Sequence, residues 1–224
     1  MNLEALWLSL RLAAWVSATL LPVAVTVAYW ITYSRWRWKF LIEAVVALPL
    51  VLPPTVLGFY LLVALGPRGP LGRAWQWAFG HSLAFTFTGL VMASILYSLP
   101  FAVQPLAASF SRVDRKLLDA SALLGASRMR SFFNIILPLS MPGLVTALVL
   151  SFAHTLGEFG VVLMVGGNIP GVTRTISIAI YDNVQALEYA AAGRTALLLL
   201  AISFAVLSLV YALNRRVWTL WPSR

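Results

Sequence analysis

Apolar residues run along this chain in blocks about as long as a bilayer is thick, separated by short polar stretches. A helix needs about 20 such residues to cross a hydrocarbon core ~30 Å thick. Five blocks reach that length, at about Leu6 to Thr32, Phe40 to Leu65, Leu83 to Ser109, Phe133 to Leu156 and Arg194 to Asn214. A shorter run, VVLMVGG at 161–167, cannot cross alone. It is read as a re-entrant or interfacial piece, or as an extension packed against the bundle. The expected fold is therefore all-α, a polytopic membrane bundle of five transmembrane helices in one domain over residues 1–224.

Composition excludes the soluble alternative. The chain is 61% hydrophobic and 10% charged, against roughly 25% charged in an average soluble domain. A soluble domain of this length would leave large apolar patches that drive association. The first block does not read as a cleavable signal, because Glu4 stands where a basic segment is expected and the apolar run continues past Leu20. Cysteine is absent, which removes disulfides, thiolate metal sites and a cysteine nucleophile. His81 and His154 are too few and too far apart for a metal site. No catalytic grouping of carboxylates, or of nucleophile and base, is evident.

The net charge of +9 changes meaning once the spans are placed. Arg35, Arg37, Lys39, Arg112, Arg115, Lys116, Arg128, Arg130, Arg215, Arg216 and Arg224 fall on one side, and Arg11, Arg68, Arg73, Arg174 and Arg194 on the other, eleven against five. The richer side is cytoplasmic, so the N-terminus lies outside and the C-terminus inside. The pairs Trp36 and Trp38, Trp75 and Trp77, and Trp218 and Trp221 sit at the expected interfaces. The charge is a topology signal, and nucleic acid is not an expected partner.

The longest cytoplasmic loop holds the most informative polar stretch, DASALLGASRMRSFFNIILPLSMPG, 119–143. Before it, Ser111 and Asp114 have the spacing of a capping box. Val113, Leu117, Ala120 or Ser121, and Leu124 recur on one helical face, and Gly125 stands where a helix end needs positive φ. A second helix starts from Ser127. A short helix whose apolar face has nothing to bury it within its own loop must dock on a partner, the bilayer or the bundle.

This loop resembles that of the permeases of binding-protein-dependent ABC importers, whose pattern is E-A-A-x3-G-x9-I-x-L-P. Asp119, Ala120 and Ser121 occupy the first three positions, and Gly125, Ile135, Leu137 and Pro138 keep every later spacing. Asp119 and Ser121 depart from the pattern but keep charge or small size. The resemblance implies that Asp119, Ala120, Ser121, Leu124, Gly125 and Pro138 form a coupling helix and its lever, docked on a separate cytoplasmic ATPase. It further implies a homodimer of permease subunits, two ATPase subunits that carry the ATP and Mg, an extracytoplasmic oxyanion-binding protein, and no cofactor on this chain. No G-x4-G-K-[ST] is present, so the nucleotide site lies elsewhere. The implied place is a bacterial or archaeal cytoplasmic membrane.

Three further stretches sharpen the resemblance. LPLVLPPTVLGFYLLVALGPRG at 48–69 and LGEFG at 156–160 are similar to segments of molybdate and sulfate permeases, and GNIPGVTRTI at 167–176 to the external loop of molybdate and tungstate permeases. Molybdate is the implied cargo, with tungstate or sulfate as alternatives. Pro49, Pro53 and Pro54 break the second span, and broken spans either line a cavity or pack as kinks. Pro53, Pro54, Thr55, Gly58 and Glu158 are the candidate path or gate, and Asn168 and Arg174 the candidate external rim facing the binding protein. Ser94, Ser98, Thr55 and Thr146 are candidate neutral donors. His154 is read as a hydrogen-bonded histidine inside the bundle. A secondary transporter would show internal repeats and intramembrane ionisable residues for coupling, which this sequence does not display.

Overall fold

The computed structural model describes residues 2–220. Among them there is no strand. Trp221 and Arg224 lie outside the described residues, and of Arg215, Arg216 and Trp218 only the backbone is described.

The first span is one helix, α1 (Leu3–Tyr33), started by Asn2, whose side chain accepts from the Ala5 N–H. Its buried positions, Leu8, Leu12, Val16, Leu20, Ala24 and Ala28, recur every four residues and become small toward the cytoplasmic end. In lipid the apolar effect does not drive helices together, so close packing over small residues does. That stripe meets α5 (Phe87–Ser111), which begins at Thr86 and buries Ala93, Ser94, Ser98 and Ala102 in turn. Around this pair the cytoplasmic half of the core gathers Leu106, Phe110, Val46 and Ile136, and the external half gathers Leu12, Val16, Leu90 and Val162.

The second block is two helices, α2 (Lys39–Val51) and α3 (Pro54–Leu65), bent by 114°. The cause is local. Leu52 and Pro53 are both extended, with ψ 136 and 137, because a residue before proline is pushed out of the helical region. Beyond α3, α4 (Pro70–Phe79) is a short helix outside the span.

After α5 come α6 (Arg115–Leu123) and the start of the fourth block at α7 (Arg128–Ser131). A π-turn over Phe132–Ile136 follows, then α8 (Leu137–Leu139) and α9 (Met141–Gly157). Pro138 has no N–H to return to Asn134, so the ladder widens, and the Leu137 N–H reaches Phe132 instead. The two segments, Arg128–Leu139 and Met141–Gly157, bend by 72° at Ser140, between Pro138 and Pro142. Pro138, which closes the loop pattern, stands just before that bend.

The run at 161–167 resolves into α10 (Gly160–Gly166), which buries Val161, Val162 and Val165. It packs against α3 and α5. The external loop leads through α11 (Ile176–Gln185) to α12 (Tyr189–Leu220), which begins five residues before the expected Arg194. Among the described residues three helices are long and apolar enough to cross alone, or up to five crossings form if each bent pair is one.

Candidate functional site

The cytoplasmic loop folds as a helix, a glycine turn and a second helix start. Its expected capping box is corrected. Ser111 still belongs to α5 and donates to the Ala108 carbonyl at 2.9 Å, and Asp114 is the cap, its Oδ1 accepting from the Lys116 N–H at 2.9 Å. The chain turns only after Ser111, so Asp114 is the first residue extended enough to cap. Val113 lies before that cap and is buried in the bundle core instead of sharing the face of α6.

The other end follows the sequence closely. Gly125 has φ +79, its N–H bonds to the Ala122 carbonyl, and the Ala126 N–H reaches Ser121. This is a Schellman closure, and only glycine adopts that φ without strain. Ser127 caps α7 by accepting from the Arg130 N–H at 3.3 Å. Ser121 and Ser131 share a hydrogen bond of 2.7 Å, which fixes α6 to the base of the fourth span. One side of α6, through Leu118, packs against the core. The opposite side is bare: Leu123 and Leu124 are each 89% exposed, while Leu117, Ala120 and Leu124 line an open cleft with Arg130 and Asn134. Asp119 is exposed beside Arg35, Lys39 and Arg115. Pro138 sits just inside the bend that follows.

The residues expected at a gate come together from two distant places. A Cβ on Gly160 would lie 2.7 Å from Pro54 Cβ, and one on Gly58 would lie 2.8 Å from Met164 Cβ and 3.1 Å from Val161 Cα. The break between α2 and α3 therefore adjoins the break between α9 and α10. Gly58 is buried in that seam, whereas Pro53, Pro54 and Thr55 are exposed. Glu158 occupies the second break, extended and buried. Neither of its carboxyl oxygens, nor the hydroxyl of nearby Ser94, has a hydrogen-bond partner.

One turn below, Ser98 bridges His154 Nδ1 at 2.9 Å and Thr155 Oγ1 at 3.0 Å, and the imidazole stacks on Phe101 at 3.9 Å. Ser98 thus serves the bundle interior. Thr146 donates to the Pro142 carbonyl at 2.8 Å. Spacing carried part of this signal: Ser94 and Ser98 are four apart on α5, but nothing in the sequence paired them with His154, Thr155 and Glu158. Ser98→Ala would strand two polar atoms, at about 1–3 kcal/mol. The expected result is a thermal unfolding transition several degrees lower in detergent, with Ser151→Ala, whose bond to Ser17 is 3.5 Å, changing little.

At the external side Arg174 does not stand free. Its Nε donates to Asn168 Oδ1 at 2.6 Å and lies 3.6 Å from Asp182 Oδ2. The Asn168 amide donates to both Asp182 oxygens, at 2.9 and 2.8 Å. Asp182, which sequence reasoning missed, makes this a clasp between the loop and α11. Among the described residues no group of three or more His, Cys, Asp or Glu is arranged to hold a metal.

A broken-helix bundle with an exposed, glycine-closed helix at its basic end defines a class of transport subunit. The family described as binding-protein-dependent transport system inner membrane component matches residues 21–219, and the chain belongs to it. It is a multi-pass subunit of the cytoplasmic membrane. It is 50% identical over 214 residues, 96% of this chain and 95% of the relative, to the molybdenum transport system permease protein ModB of Azotobacter vinelandii. To the protein of the same name from Haemophilus influenzae it is 43% identical, over 83% of this chain and 81% of that one. The sulfate transport system permease protein CysT of Escherichia coli is 32% identical, over 84% and 68%. In fold the chain is similar to a bacterial ABC transporter that imports alginate, with TM-score 0.78 at 18% identity over 96% of this chain and 79% of that one. The MetNI methionine ABC transporter gives 0.73 at 16%, over 96% and 95%.

Proposed function

We propose that this chain is the membrane subunit of an ATP-driven importer of molybdate. One permease domain over residues 1–224 pairs with a second copy, and two cytoplasmic ATPase subunits hold the ATP and Mg. An external oxyanion-binding protein delivers the anion. The observation that carries the reading is α6, a cytoplasmic helix with leucines bare on one side and a serine bond to the fourth span on the other. Work done on α6 reaches the bend at Ser140 through Ser121, Ser131 and the π-turn, and the neighbouring breaks at Pro53–Pro54 and Glu158 are the gate. No arginine or lysine lies at mid-span, which suits a conduit that holds a dianion weakly and leaves recognition to the binding protein. The Arg174–Asn168–Asp182 clasp fixes the rim against which that protein sits.

Molybdate is favoured over sulfate by the more similar relatives. The test is uptake of labelled molybdate in cells lacking this chain. Wild type restores ATP-dependent uptake, and a variant with residues 115–125 replaced by glycine and serine does not. Excess tungstate competes strongly and excess sulfate weakly. Full uptake through the glycine-serine variant would overturn the coupling, and strong competition by sulfate would reassign the cargo.

A further inference from the structure

The cytoplasmic end of the bundle carries a cleft that the transport cycle above does not use. It lies between the end of α1 and the inner side of α6, holds about 680 Å³, and is walled by Tyr29, Trp30 and Tyr33 with Arg35, Arg128 and Ser131. A smaller cleft of about 280 Å³ shares Tyr33, Ser34 and Arg35 with it, and adds Lys39, Arg115 and Asp119. Four cations thus surround the two clefts with a single carboxylate among them. Among the described residues the one ion pair is Arg174 with Asp182, so none of the four is salt-bridged.

The wall is as telling as the charge. Tyr29 and Tyr33 pack at 5.0 Å between ring centres, and Tyr29 meets Phe132 edge-on at 5.3 Å. Trp30 packs on Trp36 at 5.7 Å, and both rings, with Trp38, are partly exposed. Such rings prefer the headgroup layer of a bilayer. The cleft therefore spans the boundary, aromatic toward the hydrocarbon and cationic toward the cytoplasm.

We propose that this cleft binds the phosphate-bearing headgroup of an anionic phospholipid of the inner leaflet. Arg35 and Arg128 take the phosphate, since a guanidinium fork matches its oxygens. Lys39 and Arg115 hold its edge, and the aromatic wall receives the first carbons of the lipid. Basic pockets between helices at the cytoplasmic side suit such headgroups. A free phosphate offers the same oxygens but nothing for the aromatic wall or for the opening beside Trp30, so the lipid is the favoured occupant. Leu118 and Ala122 of α6 also line the cleft, so a bound lipid steadies the element that meets the ATPase. The inference rests on the cytoplasmic placement of this end, not on the identity of the transported anion.

The purified permease–ATPase complex, stripped of lipid in neutral detergent, is titrated with dioctanoyl-phosphatidylglycerol and read by native mass spectrometry and thermal unfolding. A saturable adduct and a raised unfolding temperature are expected, with dioctanoyl-phosphatidylcholine much weaker. One cation facing an anionic headgroup is worth roughly fivefold in binding, so Arg35→Gln with Arg128→Gln lowers the affinity about 30-fold. The matching Lys variants, which keep the charge but lose the fork, fall between wild type and the Gln pair. Arg112→Gln, on the same side but outside the clefts, leaves it unchanged. If the double variant does not assemble, Arg35→Gln alone is titrated, with a loss of about fivefold expected. An equal loss with Arg112→Gln, or equal binding of phosphatidylcholine, overturns the site. So does inorganic phosphate that stabilises the complex as well as the lipid does and blocks its adduct, because the occupant is then a free anion.

Discussion

Replacing Leu123 and Leu124 by glutamate is expected to release the ATPase from the membrane subunit and abolish ATP-driven uptake, while the bundle itself folds as before. Both side chains are 89% exposed, so neither supports the fold of this chain. At an interface the same exposure is what a docking anchor requires. Truncating one central apolar anchor commonly costs about 2 kcal/mol or more, and a buried unpaired carboxylate costs more again. Two such changes weaken the complex by on the order of 1,000-fold or beyond. Co-purification of the ATPase with the tagged permease measures this, alongside uptake in whole cells. Asp119→Asn is the contrast. Asp119 lies at the edge of α6 beside three cations of its own chain, and an exposed charge of that kind is worth about 0–1 kcal/mol, so most of the uptake should survive. If the glutamates leave both assembly and uptake intact, α6 is not the docking element, whatever its resemblance.

That prediction rests on a segment that sequence described well, and the reason is its locality. The helix at 115–123, the positive φ at Gly125 and the cap at Ser127 are decided by residues within a few positions of one another. The spans were equally legible, because an apolar run long enough to cross a bilayer has few other uses. Pro53, Pro54, Pro138 and Pro142 mark the breaks but not their angles, since 114° and 72° depend on what each half packs against, and Pro49, expected to break the second span as well, sits inside α2. The capping box failed by three residues because α5 runs on to Ser111, and how far one helix extends into a loop is a matter of its tertiary neighbours.

What sequence did not carry was pairing at a distance. Ser98 and His154 are 56 residues apart, and each alone looks like an ordinary polar side chain in a helix. Asp182 gave no sign that it would hold Asn168 and Arg174. The five residues grouped as a gate were drawn from the proline break and from resemblance together, and the structure separates them by circumstance. Gly58 is inside a helix seam, Thr55 is exposed beside it, and Glu158 is buried with Ser94. A glycine needed for close approach and a threonine able to touch a passing anion have different consequences when changed.

Gly58→Val separates them and is the second large effect expected. The new side chain would begin 3.1 Å from the Val161 Cα and 2.8 Å from Met164 Cβ. Met164 can swing part of the way, but the backbone of α10 cannot yield without moving the break beside Pro54. Overpacking of this kind costs typically 1–3 kcal/mol, and the backbone contact puts this position near the upper end. The purified complex should unfold several degrees lower and transport little, whereas Thr55→Val should unfold as wild type does and lose uptake only in so far as Thr55 meets the anion. Measuring Gly58→Val both without nucleotide and with ATP trapped carries the argument to mechanism. A destabilisation confined to one state means that α3 and α10 part during the cycle, and the seam is then itself the moving gate. An equal loss in both states makes the seam part of the rigid frame, and the motion must fall at the bends of Pro53 and Ser140 on either side of it.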